Sequence, residues 1–154
     1  LCIKEQRASR MLNIEDDDND ILLLRRAFQR ANLAVPFNIV TDGDEAVDYL
    51  VGEGCYSDRQ IYPYPSLILL DLKLPRRSGL EVLEWLKSQP LLRRIPVIVL
   101  TSSQENRDVD RAYEAGVSSY LIKPVTFSAL ENVMSALNQY WININHYPTI
   151  PFRR

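Results

Sequence analysis

Two periodicities alternate along the chain. Met11–Ile14, Phe37–Val40, Ser66–Leu70, Pro96–Leu100 and Ser119–Ile122 are short and largely apolar. In the third and fourth the apolar residues follow one another without helical spacing, as in strands buried on both faces of a parallel sheet. Between these runs the apolar positions repeat at three and four, the mark of amphipathic helices. Ile21, Leu24, Ala27, Phe28 and Ala31 form the first such set, with Asp18 or Asn19 as its expected N-cap. Asp42-Gly43-Asp44-Glu45 opens a second helix, which Gly52 and Gly54 close. The capping box Ser78-x-x-Glu81 opens a third over Leu80–Ser88, and Pro90 ends it. A polar helix over Asn106–Ala115 stops at Gly116, and Thr126 caps a last one carrying Leu130, Val133, Met134 and Leu137.

Strand and helix thus alternate five times. Connections of this length, right-handed, predict a doubly wound (βα)5 α/β fold with a five-stranded parallel sheet covered by helices on both faces. The folded domain is expected over residues 11–140, between a polar tail at 1–10 and a tail at 141–154. One residue breaks the pattern. Asn13 stands in the first strand where an aliphatic side chain is expected, and a buried amide without a partner costs on the order of 1–3 kcal/mol. The loop over residues 55–65, rich in Tyr and Pro, is longer than most connections and is a candidate contact surface.

Composition narrows the function classes. Apolar residues make up 46% and charged ones 25%, the balance of a soluble globular domain. The net charge of −2 and the scattering of the arginine pairs argue against binding to nucleic acid or membrane surfaces. No apolar run reaches the ~18 residues of a membrane span, and the first ten residues lack the apolar stretch of a signal peptide. Cys2 and Cys55 alone form neither a disulfide framework nor a zinc motif, so a cytoplasmic protein is expected.

The chemistry follows from topology. In such a sheet all strands end at one edge, where ligands bind. The first strand ends at Glu15 and Asp16, the third at Asp71, the fourth at Thr101 and the fifth at Lys123. Each has a plain alternative: Asp71 as a helix cap, Glu15 and Asp16 as a solvated acidic run, Thr101 as a turn residue, Lys123 as a surface lysine. Taken together they form a site. Clustered carboxylates repel unless a cation neutralises them, and Mg2+ prefers oxygen ligands of this kind. A carboxylate can also accept a phosphoryl group, with a lysine, a hydroxyl and the metal sharing the charge of the transferred oxygens.

These motifs, in this order, resemble the receiver domains of two-component response regulators, a flavodoxin-like fold, over residues ~11–140. Glu15-Asp16, Asp71 followed by Pro75 and Gly79, Thr101, and Lys123-Pro124 carry the resemblance. It implies that Asp71 accepts a phosphoryl group from a sensor histidine kinase, and that the chain is a signalling protein and not an enzyme. It implies direct Mg2+ ligation by Asp16, Asp71 and the backbone carbonyl of Lys73, with Glu15 acting through water. It further implies phosphoryl contacts from Thr101 and Lys123, a cis Lys123–Pro124 bond, and Tyr120 as a switch aromatic moving with Thr101. The Glu-Asp opening, the Tyr/Pro loop and Tyr140-Trp141 look similar to the stand-alone regulators of cyanobacterial phytochromes. The resemblance implies homodimers that use the face around the fourth helix, fifth strand and fifth helix. The apolar tail residues Trp141, Ile142, Ile144, Tyr147, Ile150 and Phe152 need cover, from their own domain or from a second copy, the latter being favoured. An unknown downstream protein is the expected output partner. A phosphorylation-independent pseudo-receiver is the main alternative, although Asp16, Asp71, Thr101 and Lys123 all being present argues against it. A dehalogenase-type phosphatase would need a second Asp where this chain has Lys73, and no phosphate loop supports a small-ligand flavodoxin-like binder.

Overall fold

A computed structural model describes residues 10–33 and 35–150. Most of the N-terminal tail, with Cys2, and the final four residues, with Phe152, lie outside the described residues. Five strands, β1 (Met11–Ile14), β2 (Phe37–Val40), β3 (Leu67–Leu70), β4 (Val97–Thr101) and β5 (Ser119–Ile122), form one parallel sheet in the order β2-β1-β3-β4-β5. The helices are α1 (Asp18–Arg30), α2 (Gly43–Val51), α3 (Gly79–Ser88), α4 (Asn106–Glu114) and α5 (Phe127–Leu137). The (βα)5 architecture read from the sequence is the architecture observed.

Strand alternation divides the core in two. On one face Leu12, Ile14, Ile68, Leu70, Val97 and Val99 pack against α2, α3 and Ala112 of α4. On the other, Met11, Leu67, Leu69, Ile98 and Leu100 meet Leu24, Ala27 and Phe28 of α1 and Leu130, Met134 and Leu137 of α5. The interior strands β3 and β4 are buried throughout, which is why their sequences read as continuous apolar runs.

Local chemistry sets the boundaries, with two differences from the sequence reading. Helix α1 is capped by Asp17 and not by Asp18 or Asn19. The backbone at Asp17 is extended, and its side chain accepts the Asp20 N–H at 2.9 Å, three residues on as a cap requires. The Lys123–Pro124 bond is trans, since no peptide bond is cis among the described residues. Proline weakens the trans preference of the preceding bond but leaves it favoured by about 0.5–1 kcal/mol. Helix α3 carries the full capping box, Ser78 to the Glu81 N–H and Glu81 back to the Ser78 N–H. At α2 the arrangement is shifted by one residue: Asp42 accepts from Glu45, but the Glu45 carboxylate returns to the N–H and hydroxyl of Thr41.

Gly79 has a specific steric role. A Cβ there would lie 2.1 Å from the Asp71 carbonyl oxygen, so glycine lets the start of α3 press against the end of β3. The Tyr/Pro loop is held by Tyr49, which accepts from Asn38 at 2.8 Å and donates to the Pro63 carbonyl at 3.1 Å. Arg59 adds bonds to the Tyr49, Leu50 and Tyr62 carbonyls and stacks over Tyr64. After α5 one π-helical turn, Asn138–Ile142, leads into the described part of the tail. Trp141, Ile142 and Tyr147 pack on the α1/α5 core, while Ile150 is buried in the opposite one. Arg94, just before β4, donates to the Thr149 carbonyl, so the tail crosses beneath the edge where strands begin. Its own domain covers these groups, and Tyr140 and Ile144 stay exposed.

Candidate functional site

At the opposite edge, the boundary between β1 and β3 is where successive connections diverge to the two sides of the sheet. Glu15 and Asp16 follow β1 there, and Asp71 follows β3. One carboxylate oxygen from each of the three lies within 4.8 Å of the others. Glu15 and Asp71 are buried and Asp16 is exposed, an inner pair with one outward acid.

Lys123, directly after β5, reaches across to this group. Its Nζ lies 2.7 Å from Glu15 Oε2, from Asp71 Oδ2 and from Asp20 Oδ2. Its backbone N–H donates to the Thr101 carbonyl at 2.8 Å, so β4 sets the point from which the side chain departs. Burial favours the neutral amine, but the hydrogen bonds to Asp20, Asp71 and Glu15 outweigh it and raise the Lys123 pKa. Glu15 shifts the other way for an acid. Burial, reinforced by the Asp71 charge, raises it to about 7, although Lys123 and the Asp17 N–H pull it down. One ammonium shared among three carboxylates does not neutralise them all.

The remaining predicted residues take distinct places. Asp71 does not cap a helix, since Ser78 does that for α3; instead Asp71 Oδ1 accepts the Lys73 N–H at 3.2 Å, holding the loop against the acid. The Lys73 side chain points to solvent. Thr101 is fully buried at the end of β4, and its hydroxyl accepts the Ser103 N–H at 3.4 Å. The Tyr120 hydroxyl donates to the Ser103 carbonyl at 2.9 Å, and Ser103 Oγ donates to Asp108 in α4 at 2.6 Å. Thr101 and Tyr120 therefore share one loop.

Two participants escaped the sequence reading. Asp20 holds Lys123, and the signal was helical phase: it lies four residues before Leu24, on the face that α1 buries. Asn13 lines a cavity of about 50 Å³ together with Glu15, Asp20, Asp71, Lys123 and several leucines, and its Nδ2 is buried without a partner.

The oxygen donors fit a hard divalent cation, and the parallel sheet with these polar groups at its strand ends defines a doubly wound α/β domain with a site at one edge. The model of the response regulator receiver domain matches residues 11–135, and the chain belongs to that family. Among its relatives is the probable methanogenesis regulatory protein FilR2 of Methanothrix harundinacea, 40% identical over 139 residues, 90% of this chain and 86% of that one. Response regulator Rcp1 of Synechocystis sp. is 36% identical over 132 residues, 86% of this chain and 88% of its own. The phosphorylated cyanobacterial phytochrome response regulator RcpA superposes with a TM-score of 0.85 at 35% identity, covering 92% of this chain and 99% of its own. A Mn(2+)-bound form of Rcp1 gives 0.83 at 34% identity, with the same coverage.

Proposed function

We propose that this domain is a response regulator that accepts a phosphoryl group on Asp71 from a sensor histidine kinase. The observation that carries the reading is the Asp71–Lys123 pair at 2.7 Å, set beside Glu15 and Asp16 where β1 and β3 end. An Asp71 carboxylate oxygen forms the bond to phosphorus as the bond from phosphorus to the donor nitrogen breaks. Lys123 and the Thr101 hydroxyl then meet the charge on the transferred oxygens. Asp16, Asp71 and the Lys73 carbonyl would hold Mg2+ with help from Glu15, and the bound metal would supply further charge neutralisation. Thr101 moving toward the phosphoryl group shifts the loop shared with Tyr120, which carries the signal to the face of α4 and β5. In this reading the chain is a signalling phospho-acceptor, not an enzyme with a separate substrate.

Likeness to phytochrome response regulators supports a phytochrome as the kinase and light as the input. Tyr113, Ile122 and Val125 expose large apolar surface around α4 and β5. We place a homodimer contact there, joined by Tyr140 and Ile144 of the tail, with the same face open to a downstream protein. Incubation with a small phosphodonor and Mg2+ tests the central claim by intact mass. One added phosphoryl group, absent in Asp71→Asn and with EDTA, is expected; addition that survives Asp71→Asn refutes the assignment.

A further inference from the structure

An ammonium has three N–H donors, and three carboxylates already occupy those of Lys123: Glu15, Asp20 and Asp71, each at 2.7 Å. A phosphoryl oxygen therefore reaches Lys123 only as one of the three lets go. They are not equivalent. Glu15 and Asp71 also belong to the group of oxygens suited to a divalent cation, and Asp20 does not. A Glu15 or Asp71 oxygen committed to that cation is no longer a full partner for Lys123.

Asp20 is built differently. It is the third residue of α1, its backbone N–H is fixed by the Asp17 side chain, and its side chain is 40% exposed, against 5% and 7% for Glu15 and Asp71. It comes to Lys123 from the helix, while the other two come from the sheet. Asp20 and Lys123 both line the cavity at the site, so the pair is partly shielded and belongs to the site.

We propose that Asp20 is a positioning residue for Lys123. It anchors the ammonium when Glu15 and Asp71 are committed to the cation, leaving the other N–H donors free for a phosphoryl oxygen. This rests on the phospho-acceptor reading of Asp71. A carboxylate that merely added negative charge would have the opposite effect, because its removal eases approach of an anionic donor. The two roles differ in sign.

The test uses the full chain with Asp20→Asn and Asp20→Glu. Asp17 still caps α1 in both, so folding is retained. First, the Lys123 NH3+ resonance is followed by 1H–15N NMR in Mg2+-loaded, unphosphorylated protein. The native chain and Asp20→Glu should show a resonance protected from solvent exchange, and Asp20→Asn should lose it. Second, the maximal rate of phosphorylation by acetyl phosphate should fall about tenfold in Asp20→Asn, the scale of one lost charge-assisted hydrogen bond, with recovery in Asp20→Glu. An unchanged Lys123 resonance in Asp20→Asn, or a rate equal to or above the native one, overturns the proposal. If native Asp71 accepts no phosphoryl group, the phospho-acceptor reading itself fails, and the resonance alone decides whether Asp20 holds Lys123.

Discussion

If the site takes Mg2+ as proposed, Glu15 should make its binding depend on pH in a range where ordinary carboxylates do not titrate. Its side chain is only 5% exposed beside Asp71, and burial with that neighbour raises its pKa from 4.5 to about 7. Two consequences follow in opposite directions. Without metal, the folded state holds a proton between those values that the unfolded chain has released. Stability therefore falls as pH rises from about 4.5 through about 7, then levels off. With metal, Glu15 must be ionised to lend its charge, so binding releases that proton. At about pH 6 roughly one Glu15 in eleven is ionised, and at about pH 8 roughly ten in eleven. The apparent Mg2+ affinity should thus rise about tenfold across this interval. Isothermal titration calorimetry in two buffers of different ionisation heat measures both the affinity and the protons released. Nearly one proton should leave at the lower pH and only about a tenth of one at the higher. Glu15→Gln should bind Mg2+ weakly with no slope over this range. Equal native affinity at both pH values, or no proton release at the lower one, refutes the reasoning.

Three further outcomes test the packing around the site. Asn13→Val should raise stability by about 1–2 kcal/mol in urea unfolding, because it removes a buried amide nitrogen without a partner; a loss of stability would show that the amide is satisfied. Gly79→Ala should lower stability by about 3 kcal/mol in the same assay, since the new Cβ meets the Asp71 carbonyl at 2.1 Å, and a neutral result would mean that α3 shifts freely. Tyr49→Phe leaves Asn38 and the Pro63 carbonyl without their shared partner and should cost about 1–2 kcal/mol, with faster proteolysis in the loop that Pro63 belongs to; unchanged cleavage would release Tyr49 from that role.

The interior strands β3 and β4 were legible because burial on both faces leaves a continuous apolar run, and the half-buried edge strands β2 and β5 as short apolar stretches between helical patterns. Met11–Ile14, Phe37–Val40 and Ser119–Ile122 were read to the residue, while the third strand begins one residue later than read and the fourth is displaced by one at both ends. A strand beginning beside Pro65 or Pro96 is hard to place because proline lacks the N–H that pairing needs. Helix starts were less legible where candidates adjoined one another. The run Asp16-Asp17-Asp18-Asn19 offers four capping side chains, and only the backbone turn at Asp17 selects one. The tail was legible as needing cover but not as to what covers it. Trp141 and Ile150 pack on opposite faces of the same domain, which requires the chain to pass under the sheet. No periodicity in the tail encodes that path.

The site was legible for a different reason. In a parallel sheet the end of a strand is a sequence position, so the last apolar residue points to the next polar one as a site candidate. Glu15, Asp71, Thr101 and Lys123 could be read off in that way, because each stands at or beside a strand end. Asp20 and Asn13 could not. Asp20 lies inside a helix, and its contact with Lys123 depends on how α1 is rotated against β5, a fact of packing and not of order along the chain. Asn13 lies inside a strand one pleat below Glu15, where a lone amide reads only as a flaw in an apolar pattern. Both line the same cavity under Lys123. The strand ends thus supply Glu15 and Asp71 as two partners of Lys123, and α1 behind them supplies Asp20 as the third.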